Sequence, residues 1–333
     1  MAKAKNVAVA GATGAVGQDM LRVLERRNFP VRALRLLASE RSVGKKMTFR
    51  GKEYAVEQLT EKSFDGIDIA LFSAGADRSR QFAPAAVKAG AVVVDNSSAF
   101  RMEADVPLVV PEVNPEQVKR HKGLIANPNC STIIMVVVLW PLHKAATIER
   151  IVVSTYQAAS GAGAKAMQEL ADQAAAVLSG KPVTVVALPQ QIAFNLFPHI
   201  DVFLENGYTK EEMKMVKETR KIMGDDSIRV TATTVRVPVF RAHSEAINIQ
   251  TKKALTPEHV RKILAKAPGV KVVDDPANKR YPMPIEASGQ DDVLVGRIRK
   301  DISIENGIDL FVSGDQLLKG AALNAVQIAE LLL

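Results

Sequence analysis

Apolar residues follow two rhythms along this chain. Up to about residue 97, short apolar runs alternate with stripes of helical period. "NVAVAGA" (6–12), "ALRLLAS" (33–39), "DIALFSAG" (68–75) and "AVVVDNS" (91–97) predict buried strands. Between them, "AVGQDMLRVLERRN" (15–28) puts Val16, Met20, Leu21, Val23 and Leu24 on one helical stripe, and "RSRQFAPAAVKAG" predicts another helix. "TFRGKEYAVEQL" (48–59) reads as a hairpin turning near Gly51. Strands alternating with helices predict a parallel sheet covered on both faces.

Near residue 150 the texture changes. "RIVVSTYQAAS" (150–160), "RVTATTVRVPVF" (229–240), "HSEAINIQT" (243–251) and "VLVGRIRKD" (293–301) are longer, β-branched and partly alternating, which predicts an antiparallel or mixed sheet. Helices are expected at about 163–179, 209–223 and 256–266. The last segment, 315–333, reads as a helix that can return to the first domain. The fold class is therefore α/β. A Rossmann-type doubly wound parallel sheet domain (1–128 and 316–333) precedes an α+β catalytic and dimerisation domain with a mixed or antiparallel sheet (129–315).

Composition narrows the function. With 47% hydrophobic and 24% charged residues in 333, the chain reads as soluble and globular. "TIIMVVVLWPL" is too short for a membrane span and carries a proline, and the start reads as a first strand rather than a signal peptide. The net charge of +8 is dispersed, and "RKILAK" and "GRIRKD" lack interleaved aromatics. That points away from nucleic acid and suits a small phosphate-bearing ligand. One cysteine permits no internal disulfide and suggests a reducing, cytoplasmic setting.

Gly11, Gly14 and Gly17 stand between a strand and a helix in G-x-x-G-x-x-G spacing, a variant of the dinucleotide fingerprint. Such a loop lets a pyrophosphate sit on the helix N-terminus. The second strand ends "LASERSVGKK". Arg41, between Ser39 and Ser42, offers charge-assisted contacts to a 2′-phosphate and favours NADP; Glu40 beside it offers the ribose contact of NAD. No metal is implied, because the histidines are scattered and there is no second cysteine.

Cys130, in "NPNCST", opens a predicted helix. Pro128 is expected to stop a helix upstream, and Asn129 or Ser131 to cap this one. Backbone N–H groups at that end favour a thiolate.

"GATGAVG", "VVDNSSAFR", "VPLVVPEVN", "NPNCSTI", "VSTYQAASGAG", "RVPVFRAHSEA", "VGRIRKD" and "LLKGAALNAVQIAE" together resemble the aspartate-semialdehyde dehydrogenases, from about residue 6 to 331. The acetylglutamyl-phosphate reductases are similar in plan but carry Gly before their cysteine and an aromatic after it, where this chain has Asn129 and Ser131. The resemblance implies NADPH-dependent reduction of L-aspartyl-4-phosphate to the semialdehyde through a cysteine thioester. It also implies a homodimer or a tetramer built as a dimer of dimers. Cys130 matches the nucleophile, His243 the general acid/base and Gln157 the residue orienting the acyl group. Arg236 matches the residue for the α-carboxylate, and Arg101, Asn129 and Lys214 match the phosphate site. In "TKEEMKMVKE" the choice lies between two acids; residues three apart share a helix face, so Glu211 pairs with Lys214 and is expected to hold the substrate ammonium. The cofactor residues are Gly11, Thr13, Gly14, Ala15, Val16, Ser39, Arg41, Ser42, Ser73, Gly75, Ser160 and Gly161, with Gln316 and Asn324 at and within the last helix. Whether Arg236 and His243 face one pocket is open at this level, because Pro238 breaks the strand between them.

Overall fold

The computed structural model describes residues 3–333. It divides into two compact units, one running to Asn129 and joined by Gly320–Leu333, the other Cys130–Lys319. The division thus falls at 129/130 and 319/320 rather than at 128/129 and 315/316.

The first unit contains β1 (Lys5–Ala10), α1 (Ala15–Arg26), β2 (Val31–Ala38), β3 (Lys46–Phe49), β4 (Lys52–Gln58), β5 (Ile69–Phe72), α2 (Ala76–Lys88), β6 (Val92–Asp95) and β7 (Leu124–Ala126). Its described strands form one sheet in the order β3-β4-β2-β1-β5-β6-β7. All neighbours are parallel except the hairpin β3–β4. The central strands are apolar on both faces (Val7 to Ala10, Ile69 to Phe72), as a sheet with both sides covered requires. The hairpin turns on Arg50 and Gly51, both at positive φ (50° and 73°), the twist that a two-residue connection favours.

The second unit contains α3 (Cys130–Ala146), β8 (Ile148–Gln157), α4 (Ala164–Leu178), α5 (Lys210–Met223), β9 (Arg229–Arg236), β10 (His243–Thr251), α6 (Pro257–Leu264), β11 (Val270–Val272), α7 (Pro284–Ala287), β12 (Val293–Lys300) and β13 (Gly307–Gly314). Its described strands form a mixed sheet in the order β11-β12-β13-β10-β8-β9. The pairs β8–β9 and β11–β12 are parallel and the others antiparallel. Helix α3 is apolar all round, and Ile133 to Leu139 are buried to within 1% exposure, so it is the core of this unit. It approaches β13 at Gly314, where a Cβ would stand 2.9 Å from Ile134 Cγ1. The last helix, α8 (Leu323–Glu330), belongs to the first unit and is tied to the end of α1 by a two-pronged Arg27–Glu330 ion pair at 2.7 and 2.8 Å.

Several expectations are corrected. Pro128 does not stop a helix; the segment running into it is strand β7, whose three residues are too few to show a period. Ser131 does not cap α3: it lies inside the helix with its hydroxyl buried and unbonded. Strand β13, "GIDLFVSG", was missed because glycines bound it and Asp309 interrupts its apolar run. Residues 315–333 are not one helix: Asp315 accepts from the N–H groups of Leu317 and Leu318, a single π-turn follows (Leu318–Ala322), and α8 begins only at Leu323.

Candidate active site

In the first unit the glycine loop is shaped by backbone crowding. Gly11 sits at φ +89°, and a Cβ there would lie 2.3 Å from Ser73 O. A Cβ on Gly17 would lie 2.2 Å from Gly11 O. Both positions demand glycine, the first for conformation and close approach to β5, the second for helix packing. Helix α1 starts after Gly14 with no side-chain cap and no acidic residue in its first turn, which leaves Thr13, Ala15 and Val16 around a helix end suited to phosphate. Thr13 Oγ1 meets Ser42 Oγ at 3.4 Å, joining this loop to the end of β2. There, Glu40 and Arg41 are both exposed on a short 3₁₀ turn beside Ser39. Ser73 and Gly75 follow β5, and Gly75 at φ +88° precedes α2.

The phosphate candidates Arg101 and Asn129 are buried in this unit. Arg101 donates from Nε to Asn127 O (3.0 Å) and from Nη2 to Asn96 O (2.9 Å). Its loop is anchored by buried Asp95, which accepts from Ser79 Oγ (2.8 Å) and from Ser97 N and Oγ (3.0 and 2.7 Å). Asn324 donates to Val109 O (3.0 Å) and Asn127 Oδ1 (2.7 Å), so its amide braces the strand leading to Asn129.

In the second unit the sheet register brings distant residues to one edge. Gln157 ends β8 and pairs with Arg236, which ends the parallel strand β9. His243 opens β10, which runs antiparallel to β8 so that Ser244 faces Tyr156. Three side chains separated by up to 86 residues therefore emerge together. Ala158 links them: its N–H donates to His243 Nδ1 (3.0 Å), and its carbonyl accepts from Arg236 Nη1 (2.6 Å). Gly161 lies against both, since a Cβ there would stand 3.0 Å from His243 Nε2 and 3.1 Å from Arg236 Nη1. Gln157 Nε2 is 3.4 Å from His243 Nε2 and donates at 3.4 Å to Glu211 Oε1, while Thr155 Oγ1 donates to Gln157 Oε1 (3.0 Å).

Charge completes the cluster. Burial pulls the His243 ring well below its ordinary value, and the Arg236 cation adds to this, against a raising contact with the Ala242 backbone. The resting ring is therefore neutral. Burial also lowers Arg236, while Glu211 and Cys130 oppose it, so Cys130 at the start of α3 lies within electrostatic reach. Arg236 is 5% exposed, and among the described residues its guanidinium makes one hydrogen bond, to Ala158 O. A guanidinium engaged at one nitrogen keeps further N–H donors of the kind that bind carboxylates.

Lys214 Nζ bonds both Glu211 Oε2 (2.9 Å) and Asp201 Oδ2 (2.8 Å). Burial depresses the Lys214 ammonium, but these two carboxylates outweigh it and the net shift is upward. Glu212, the other acid, closes a capping box with Thr209 and accepts from Thr234 N–H (2.9 Å), so it serves the fold. Ser160 and Gln316 are joined by a side-chain hydrogen bond. Sequence reading missed Asp201, which lies in an irregular segment 13 residues before Lys214 with no pattern to mark it. It also missed Thr155, which the i, i+2 alternation of a strand places on the face of Gln157.

Two family models cover most of the chain: the NAD binding domain of semialdehyde dehydrogenase matches residues 6–121 and its dimerisation domain residues 139–319. An aspartate-semialdehyde dehydrogenase of Aquifex aeolicus is 61% identical over 98% of this chain and 97% of its own length. The chain belongs to the aspartate-semialdehyde dehydrogenase family. The Bacillus subtilis member is 52% identical over 99% of this chain and 98% of its own. The crystal structure of aspartate semialdehyde dehydrogenase II from Vibrio cholerae superposes with a TM-score of 0.97 at 52% identity, covering 99% of this chain and 98% of that one. A further structure of that enzyme is described as complexed with ASA. The Candida albicans enzyme, solved with NADP, gives a TM-score of 0.78 at 27% identity over 99% of this chain and 98% of its own. This family places the chain among the oxidoreductases of amino-acid biosynthesis that use a nicotinamide cofactor. Among the described residues no helix is long and apolar enough to cross a membrane.

Proposed function

We propose that the chain reduces L-aspartyl-4-phosphate to L-aspartate 4-semialdehyde with NADPH and releases phosphate, supplying lysine (through diaminopimelate), threonine and methionine synthesis. The observation that carries this reading is the convergence of Gln157, Arg236 and His243 at one sheet edge, with Glu211 supplied by α5 and Cys130 within electrostatic reach of Arg236.

The Cys130 thiolate attacks the acyl carbon, the C–O bond to phosphate breaks, and a thioester forms on Sγ. The first turn of α3 stabilises that thiolate, because the helix dipole puts partial positive charge at the helix N-terminus. Gln157, aligned by Thr155, orients the acyl oxygen. Arg236 takes the α-carboxylate with its further N–H donors, and Glu211 takes the ammonium. Arg101, Asn129 and Lys214 hold the departing phosphate. His243 is the proton-transfer group: Nδ1 accepts from Ala158 N–H, so the ring carries its proton on Nε2, gives it up in the reductive direction and takes it back in the oxidative one.

The glycine cradle fits a dinucleotide, since Cβ atoms at Gly11 and Gly17 would collide with backbone and α1 begins without a cap. When bound, the nicotinamide supplies the hydride that the thioester carbonyl takes up. Ser73, Gly75, Ser160 and Gly161 border it in this reading, and exposed Arg41, with Ser39 and Ser42, favours the 2′-phosphate of NADP. Homodimerisation is assigned to the second unit. The sheet face opposite His243 carries a cavity of about 680 Å³ bordered by Ser154, Ala246, Asn248, Tyr281 and Phe311, apolar surface that a second copy can cover.

The test is a reverse assay: semialdehyde, NADP and phosphate together should give NADPH absorbance, and omission of phosphate should abolish steady turnover. Cys130→Ser should reduce the rate by at least about a thousandfold. Retained activity would sink the thioester.

A further inference from the structure

The residue before the histidine is held in an unusual backbone state. Ala242 has φ +73°, in the left-handed region where a Cβ is disfavoured, yet it is a fully buried alanine rather than a glycine. Its conformation sets the direction in which β10 starts and hence where the His243 ring projects. Something must over-determine it.

That something is Gln316. The Ala242 N–H donates to Gln316 Oε1 at 2.8 Å, and the Gln316 amide nitrogen donates to Ser160 Oγ. An N–H can face only an acceptor, so the orientation of the amide is fixed by the backbone. Gln316 is 2% exposed and both ends of its amide are engaged. The neighbouring Asp315, fully buried, holds the same junction from the other side. It accepts from Arg241 Nε (2.7 Å), Gly289 N (2.7 Å), Leu317 N (2.9 Å) and Leu318 N (3.2 Å). Just upstream in the chain, Ser160 N–H donates to Phe240 O (3.1 Å) and Ala159 N–H to Val239 O (2.8 Å). The histidine thus begins a strand whose first turn is clamped by residues 315–316, while its ring rests on the 158–161 loop that Gln316 also holds.

We infer that Gln316 is a positioning residue for His243: it latches Ala242 in its left-handed state and the Ser160 loop beside it, rather than offering its amide to the cofactor. The inference rests on His243 serving the proposed reaction. Aligning the ring is a geometric task, and displacement by an ångström costs about a hundredfold in rate.

The experiment is a cycle of Gln316→Leu, Ala242→Gly and the double variant. Three readouts are taken: oxidative kcat, NADPH affinity by fluorescence titration without substrate, and the His243 ring titration by NMR. Gln316→Leu should lower kcat by about ten- to a hundredfold while NADPH affinity stays within about twofold of wild type. The His243 titration should move up towards its ordinary value of 6.5. In the double variant glycine removes the Cβ penalty, so most of the kcat and the original titration should return. If NADPH affinity falls in step with kcat and Ala242→Gly restores nothing, Gln316 is a cofactor ligand and the inference is overturned. Should Gln316→Leu fail to fold, Gln316→Asn, polar but too short to reach both partners, carries the same expectations. A wild-type chain without turnover would overturn the proposed reaction alone, and the NMR arm would still decide the latch.

Discussion

The two units make their sites from different materials. The first uses backbone: glycines at 11 and 17, where a side chain would strike main-chain atoms, and the bare N-terminus of α1. The second uses buried polar side chains from four separate segments: sheet register brings Gln157, Arg236 and His243 to one edge, and α5 supplies Glu211. A backbone site recognises phosphate by shape and dipole and is insensitive to the surrounding side chains. A side-chain site is tuned by burial, and each member alters the charge of the next: Arg236 helps keep His243 neutral, and Glu211 and Cys130 help keep Arg236 charged. Substitutions should therefore fail locally in the first unit and in concert in the second.

Of the substitutions that probe this contrast, Gly11→Ala is expected to have the largest effect. It adds a Cβ 2.3 Å from Ser73 O at φ +89°, and backbone cannot step aside as a side chain can. Cofactor affinity should fall by about a hundredfold or more, with a lower melting temperature; near-normal NADPH titration would show that the cradle is not backbone-made. Next comes Arg236→Leu, which removes the buried fork and one cause of His243's depression. We expect kcat/KM to fall by about a hundredfold or more. The His243 titration should rise in the same variant; a change in KM alone, with the imidazole unmoved, would break the claim of mutual tuning. Arg236→Lys should recover little, since an ammonium cannot donate in two parallel bonds.

Gly161→Ala should be milder. Its Cβ would meet the flexible ends of His243 and Arg236 at 3.0 and 3.1 Å, which can shift by tenths of an ångström. About a tenfold loss of kcat, with little change in folding stability, is expected.

The smallest effect concerns Glu245, two residues along β10 from His243, whose carboxyl oxygens are buried without a hydrogen-bond partner. Burial holds it well above its ordinary value of 4.5, so the folded chain keeps its proton while the unfolded chain releases it. Its contribution to stability is full below 4.5 and is lost as pH rises towards the folded value. His243 runs the other way: with a depressed folded value, its contribution is present above 6.5 and is lost as pH falls below it. Glu245→Gln should remove the alkaline slope, so its melting temperature should gain on wild type between about pH 5 and about pH 8. A constant gap across that range would mean the carboxyl is not protonated in the fold.

The same contrast explains what the sequence made legible. Strand, glycine turn and helix are contiguous, so the cradle of the first unit can be read from Gly11 to Leu24 as one pattern. The α3 helix announces itself through an apolar run, and Cys130 through its place at the head of that run. The Glu211–Lys214 pair follows from helical spacing. By contrast, Arg236 and His243 meet only because β9 is parallel and β10 antiparallel to β8, and no local pattern states that pairing. Resemblance supplied those residues, not periodicity. Asp201, Ala158 and Gln316 act from irregular segments, through contacts that no local pattern announces. Their roles appear only where the chain is folded. The strand β13, framed by glycines at 307 and 314, was hidden by the very residue that lets α3 lie against it.

The central claim, that the second unit's buried cluster serves a thioester on Cys130, is best tested by mass spectrometry of the protein mixed with semialdehyde and NADP but no phosphate. The aldehyde should be oxidised once per site, leaving an aspartyl group on the peptide containing Cys130 and an equal burst of NADPH. Added phosphate should then clear the adduct. A burst without an adduct, or an adduct on any other residue, would contradict the account.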